Sequence, residues 1–312
     1  MAEPLRHLLD IDSLTRAQLE SLLRLAHRIK ADPAPYRGRL DGALLTNLFF
    51  ESSTRTRMSF EIAARRLGMQ VVNFSSAGSS VSKGETLLDS FRTVQAMGPD
   101  VVVFRHSDRH SAARLAEAAT TGTHLVNAGD GSHAHPSQAL LDMMTLQEHF
   151  EDFASLRVLI AGDLRHSRVT HSDVAAMRKL GVGEIRLASP ATMQPDETTA
   201  RGTIAFDSLD EAVEGADVVM MLRIQHERLS DVETPEHLSY YRDWGLTPTR
   251  LAKAAPGCRV MHPGPMNRGV EIDSEVADGP QSLVLQQVAN GVYARMALLL
   301  SLVGDGAHGQ PA

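Results

Sequence analysis

The sequence predicts an α/β fold of two domains, each a parallel sheet flanked by helices, with a C-terminal helix returning to the first domain. Three observations carry this. Short apolar runs alternate with segments of helical spacing, the pattern of parallel strands covered on both faces. The alternation starts afresh after an interruption near residues 150–156, which marks a domain junction. The last helical segment, 283–303, follows a polar stretch and is too long and apolar to be a tail, so it needs a core to return to.

Taken in order, residues 14–29 have apolar positions at helical spacing, with Ser13 placed as the cap and Asp32-Pro33-Ala34-Pro35 as the stop. A strand over 43–50 runs into a helix over 54–67. Strand 71–74, helix 85–97, strand 101–105, helix 112–119, strand 125–127 and helix 137–150 follow. The second series reads as strand 158–161, helix 169–180, strand 184–188, helix 208–214 and strand 217–222. A loop-rich stretch then leads to strand 259–261. The expected domains are therefore 1–150 with the returning helix 283–303, and 151–282. In such sheets ligands sit at the carboxyl ends of strands, where the strand order reverses.

The 312 residues, 43% hydrophobic and 22% charged, have the composition of a globular protein with room for two domains. A net charge of -7 argues against broad nucleic-acid binding, which needs many basic contacts to phosphate. It leaves room for a small anion held by a few converging arginines. The single cysteine, Cys258, excludes an intrachain disulfide and a thiolate zinc cluster, and suits a reducing cytoplasm. The N-terminus lacks a basic start followed by an apolar run, and no apolar stretch reaches the length of a membrane span.

The polar clusters fall at strand-to-helix junctions. Ser53, Thr54 and Thr56 surround Arg55 where the first such strand gives way to its helix; a helix start with hydroxyls and a guanidinium can enclose a phosphate. Ordinary capping would need one oxygen and no cation. A small polar loop from Ser75 to Gly84 carries Lys83. Arg105 ends the strand Val101-Val102-Val103-Phe104 on the ligand side, with Asp130 a candidate partner carboxylate. His135 and Gln138, at the next helix start, could bond a carbonyl oxygen and its amide nitrogen. His133 and His135 lack the thiolates or paired carboxylates of a closed ligand set, so no metal is expected. Gly162-Asp163-Leu164-Arg165 lacks the second and third glycines of a dinucleotide fingerprint, and no acidic ribose ligand follows the next strand. Arg168 and Arg223 then suit two carboxylates. The residues together fit one phosphate-bearing substrate and one dicarboxylate, meeting between domains, without a cofactor.

These motifs resemble the transcarbamoylase family. The matches, in the family's order, are Phe50-Glu51-Ser52-Ser53-Thr54-Arg55-Thr56-Arg57, Ser82-Lys83-Gly84-Glu85-Thr86, Arg105-His106, Asn127-Ala128-Gly129-Asp130-Gly131, His135-Pro136-Ser137-Gln138, Gly162-Asp163-Leu164, Arg223-Ile224-Gln225-His226-Glu227-Arg228 and His262-Pro263-Gly264-Pro265. The resemblance implies that Ser53, Thr54, Arg55, Thr56 and Arg105 bind the phosphate of carbamoyl phosphate. It also implies that Thr56, Arg105, His135, Gln138 and the backbone at Gly264 and Pro265 hold the carbamoyl group. Arg168, Arg223 and Gln225 would bind aspartate. Ser79 and Lys83 would enter a neighbouring subunit's site in a homotrimer, which regulatory or dihydroorotase-type chains can join. Two departures are Ser52, where proline is more usual, and Gly264, where some relatives have leucine. The ornithine-using branch carries a Ser-Met-Gly run and a His-Cys-Leu-Pro cysteine that this chain lacks. Ornithine's distal ammonium would also meet Arg223 and Lys83, so carbamoyl transfer to aspartate is the expectation, with a non-catalytic phosphometabolite-binding module as the rival.

Overall fold

A computed structural model describes residues 5–75, 86–120, 122–224 and 237–304. By its internal contacts the chain divides into two compact units, 1–144 with 289–312, and 145–288. Both boundaries fall inside helices.

In the first unit the order is α1 (Arg16–Ala31), β1 (Leu44–Phe49), α2 (Thr54–Arg66), β2 (Gln70–Ser75), α3 (Leu87–Gln95), β3 (Val101–His106), α4 (Ser111–Ala118), β4 (His124–Asp130) and α5 (Pro136–Gln147). The four strands form an all-parallel sheet in the order β2-β1-β3-β4. Leu45 and Leu48 of β1, Val101 to Phe104 of β3, and Leu125 and Val126 of β4 are inaccessible to solvent. That is expected of strands covered on both faces. Helix α1 begins later than the sequence predicts. Its cap is Thr15, not Ser13: the Thr15 hydroxyl accepts from the Gln18 amide, and the Gln18 side chain accepts from the Thr15 N–H. Two orphan donors are satisfied by this reciprocal pair, whereas Ser13 bonds back to Asp10 instead.

The second unit contains β5 (Arg157–Ala161), α6 (Arg168–Leu180), β6 (Glu184–Ala188), α7 (Glu197–Ala200), β7 (Ile204–Phe206), α8 (Leu209–Ala212), β8 (Val218–Met221), α9 (His237–Trp244), α10 (Pro248–Leu251), β9 (Arg259–Met261) and α11 (Ser274–Ala277). Its sheet is also all parallel, in the order β7-β6-β5-β8-β9. Strand β7 is absent from the sequence-based reading. It is an edge strand of only three residues, with Ile204 and Ala205 exposed. The core between this sheet and its helices includes Leu159, Val219, Leu246 and Cys258. Burial pushes the Cys258 thiol up to about 12, which makes it a packing residue.

The last helix, α12 (Val284–Val303), supplies the returning segment. Within the first unit Arg295 donates to Ser59 of α2 at 3.0 Å and lies over the Phe60 ring, while Lys30 of α1 donates to Asn290 at 2.7 Å. No helix among the described residues is long and apolar enough to cross a membrane.

Candidate active site

In the first sheet the order reverses between β1 and β3, and in the second between β5 and β8. Each reversal leaves a crevice at the carboxyl ends of two adjacent strands, because the helices that follow them leave toward opposite faces. Of the described sequence-predicted residues, Ser53 to Thr56 and Arg105 lie at the first reversal, and Arg168 and Arg223 follow the two strands of the second.

At the first crevice β1 leads into α2 through Phe50 to Ser53. Ser53 occupies the N-cap position, yet its hydroxyl makes no capping bond. Thr15, Thr86, Ser167, Ser208 and Thr247 do cap their helices. The first bond of α2 runs from the Arg57 N–H to the Ser53 carbonyl. The amides of Thr54, Arg55 and Thr56 precede it and have no intrahelical acceptor, and the positive end of the helix dipole points the same way. Thr54 and Arg55 are exposed, while Thr56 is buried. Hydroxyls, first-turn amides and a guanidinium at one helix start have the make-up of an anion-binding arrangement.

Arg105 lies beside it, opposite Phe49 across the β1–β3 ladder. Asp130, the candidate carboxylate, is not its partner. Glu51 is, with Oε2 at 3.2 Å from Arg105 Nε, and Arg105 Nη1 donates to the Ala128 carbonyl at 3.2 Å. Asp130 is occupied elsewhere: its Oδ1 accepts from Asn127 Nδ2 at 2.9 Å and from the Ala134 amide at 3.0 Å. It also pairs with His133, and this carboxylate contact raises the His133 pKa.

The Asn127-Ala128-Gly129-Asp130 motif, read from sequence as a loop, is the end of β4 and contains a bulge. Phe104 pairs with Asn127 and His106 with Asp130, so Ala128 and Gly129 together oppose Arg105. Gly129 has φ 128, and its amide donates to Asn127 Oδ1 at 2.8 Å. A bulge sharpens the local twist and re-aims side chains, and here it sets the carbonyl that Arg105 grips. A glycine near a strand end was the signal available in the sequence. Beyond the bulge the chain turns into α5; His135, just before it, and Gln138, in its first turn, are both buried. Gln138 Nε2 donates to both oxygens of Asp142, each at 3.1 Å.

At the second crevice Arg168 is the first residue of α6, directly after the Ser167 cap, and is 5% exposed. Arg223 follows β8 and is half-buried. Gly162 lets the ends of β5 and β8 approach: its φ is 127, and a Cβ there would sit 2.5 Å from the Leu222 carbonyl oxygen. After β9, Gly264 has φ 65 and its amide donates to His262 Nδ1 at 2.8 Å. His262 Nε2 in turn contacts Glu271 Oε1 at 3.1 Å, and both side chains are fully buried. This pair orients the turn that carries Gly264 and Pro265. It went unread in the sequence because Glu271 lies outside the His-Pro-Gly-Pro motif. Ser79, Lys83 and Gln225 lie outside the described residues.

Models of two domains match this chain. One, described as the aspartate/ornithine carbamoyltransferase carbamoyl-P binding domain, matches residues 6–148, and the other, the Asp/Orn binding domain of the same description, matches 154–302. The chain is 50% identical over 305 residues to an aspartate carbamoyltransferase catalytic subunit of Stenotrophomonas maltophilia, covering 96% of each chain. It is 50% identical over 304 residues to the corresponding subunit of Xanthomonas campestris pv. campestris, again covering 96% of each. Among solved structures it is similar to aspartate transcarbamoylase from Trypanosoma cruzi in complex with carbamoyl aspartate and phosphate. The TM-score is 0.86 and the identity 30%, covering 97% of this chain and 99% of that one. It is equally similar in fold to ornithine carbamoyltransferase from Pyrococcus furiosus, with TM-score 0.87, 27% identity and the same coverage. Backbone shape therefore does not separate the two activities; side chains do.

Proposed function

This chain belongs to the aspartate/ornithine carbamoyltransferase family, and from that premise we infer that it transfers the carbamoyl group of carbamoyl phosphate to the α-amine of L-aspartate. The products are N-carbamoyl-L-aspartate and phosphate, a step of pyrimidine biosynthesis. The observation that carries aspartate over ornithine is the pair Arg168, at the start of the helix that follows β5, and Arg223, just after the adjacent strand β8. Two guanidinium forks suit two carboxylates and oppose a second ammonium.

In the first unit Ser53, Thr54, Arg55 and Thr56 take the phosphate, with Arg105 between phosphate and carbamoyl oxygen. Thr56, Arg105 and His135 donate to that oxygen, and Gln138 contacts the carbamoyl nitrogen; Gly264 and Pro265 contribute backbone groups. In the second unit Arg168, Arg223 and Gln225 bind aspartate. The amine lone pair attacks the carbamoyl carbon, forming the C–N bond and placing negative charge on the carbonyl oxygen. Collapse of the tetrahedral species breaks the C–O bond to phosphate, and the leaving phosphate accepts the amine proton. Charge develops where Thr56, Arg105 and His135 donate, and losing one such donor typically costs about 10²–10³ in turnover. Neither a protein nucleophile nor a cofactor enters this scheme.

The relatives' designation as catalytic subunits supports assembly with other chains. Within our reading the assembly is a homotrimer in which Lys83 completes a neighbour's site, and the location is the cytoplasm. The primary test is formation of carbamoyl aspartate from carbamoyl phosphate and aspartate, with ornithine as the alternative acceptor. Citrulline formation at a comparable rate, or binding of both substrates without turnover, would overturn the assignment.

A further inference from the structure

Gln138 and Asp142 lie one turn apart on α5, and both are buried, Asp142 completely. The contact between them is bidentate on the carboxylate, from the one amide nitrogen. A carboxylate accepts hydrogen bonds and does not donate them, so the contact decides which end of the Gln138 amide faces Asp142. The NH2 end is turned inward, and Oε1 is presented on the other side.

Asp142 is not buried without compensation. Arg295 of α12, itself only 3% exposed, supplies a nearby positive charge. Its guanidinium is fixed from three directions, by the Phe60 ring with its centroid 4.9 Å away and by donation to Ser59 Oγ and the Gly291 carbonyl, each at 3.0 Å. Burial drives the Arg295 pKa down to about 10, with the Asp142 charge opposing that fall. Arg295 thus backs Asp142 by its charge, and Asp142 holds Gln138 where a reversed amide would set its oxygen against the carboxylate.

We propose that Asp142 is a positioning residue that locks Gln138 as a hydrogen-bond acceptor, and that this polarity selects an acyl phosphate bearing NH2 over one of the same shape bearing CH3. The proposal rests on the reading that Gln138 contacts the carbamoyl group. Carbamoyl phosphate and acetyl phosphate share the phosphate, the bridging oxygen and the carbonyl. They differ only in the group that Gln138 meets. Against Oε1 the carbamoyl NH2 donates a hydrogen bond, whereas a methyl leaves a desolvated acceptor unpaired, which is costly. With the amide reversed, two NH2 groups would face each other and the preference would vanish. Asp142 is thus required for specificity without touching the substrate.

The test measures equilibrium binding of carbamoyl phosphate and of acetyl phosphate to the whole protein, without aspartate. Wild type should prefer carbamoyl phosphate. Asp142→Asn keeps the shape but can offer Gln138 either a donor or an acceptor; it should weaken carbamoyl phosphate about tenfold, and acetyl phosphate less than about twofold. Equal weakening of both ligands, or no change in either, overturns the proposal, since a merely structural role would not distinguish them. So does a wild type without preference. If the uncompensated Arg295 prevents Asp142→Asn from folding, the charge-balanced pair Asp142→Asn with Arg295→Met is measured by the same ratio and judged by the same outcomes. Gln138→Ala separates the two layers of the argument. An intact preference in Gln138→Ala sinks the contact between Gln138 and the carbamoyl group, whereas a lost preference there with an intact one in Asp142→Asn sinks only the lock.

Discussion

Ser53 sits where a helix cap belongs and does not cap, beside exposed Arg55, and in our reading this helix start takes the phosphate. Arg55→Ala should therefore leave the fold intact and weaken carbamoyl phosphate binding by about tenfold to a hundredfold, the worth of one charge-assisted interaction of roughly 1.5–3 kcal/mol. Its counterpart Arg223→Ala should raise the KM for aspartate while carbamoyl phosphate binding in aspartate's absence stays within about twofold. Direct titration of each ligand checks both, and equal loss of the two affinities in either variant would break the division of labour. At the N-terminus, His7 Nδ1 accepts from the Leu125 amide at 3.0 Å. Burial, with the charges of Arg6 and His124, lowers its pKa from 6.5 to about 4. Between those values the unfolded chain binds a proton that the native one refuses, so stability falls as pH falls through that window. Urea midpoints measured from pH 7 to 4 should drop more steeply for wild type than for His7→Gln; parallel slopes would remove His7 as the cause.

At the scale of elements, the two crevices are built by different backbone devices. The first uses a bulge: two residues of β4 oppose one of β3, and Glu51 and the Ala128 carbonyl hold Arg105 between them. The second uses a glycine, since any side chain at position 162 would collide with the end of β8. Gly162→Ala adds both that collision and a left-handed φ to a non-glycine residue, a strain of roughly 1–3 kcal/mol. The native conformation can relieve it only by parting β5 from β8, which moves Arg168 relative to Arg223. The expected result is a lower thermal midpoint together with a higher aspartate KM, with carbamoyl phosphate binding unaltered. An unchanged aspartate KM in the destabilised variant would show that the β5–β8 approach does not position these arginines.

For the whole molecule, the reading that Lys83 serves a neighbouring chain makes a demand that no monomer can meet. Lys83→Ala and Arg105→Ala homotrimers should each be nearly inactive, yet a mixed trimer contains a site with Arg105 from one chain and Lys83 from another. Carbamoyl aspartate production should return when the two variants are dissociated and reassembled together, with mass analysis confirming the hybrids. Confirmed hybrids no more active than their parents would assign Lys83 to its own chain.

Much of this was legible in the sequence because parallel strands buried on both faces are written as unbroken apolar runs, and helices as a repeat of 3.6. Strands 184–188 and 259–261 were read with their observed ends. Edge strand β7 was not: three residues, two of them exposed, are too few to show a periodicity. The junction motifs are likewise legible as a candidate anion site, since hydroxyls and cations at a strand-to-helix switch suit that use. Local sequence was enough for the alternation, the polar junctions and the residue types gathered at them. The pairings came from packing: Arg105 with Glu51 and not Asp130, a bulge in place of a loop at Ala128 and Gly129, Gln138 on Asp142, and Arg295 of the last helix on Ser59 and Phe60. Periodicity reports how a residue sits on its own element, whereas a salt bridge or a counter-charge depends on which elements the sheet order brings together, and that is a property of the packed chain.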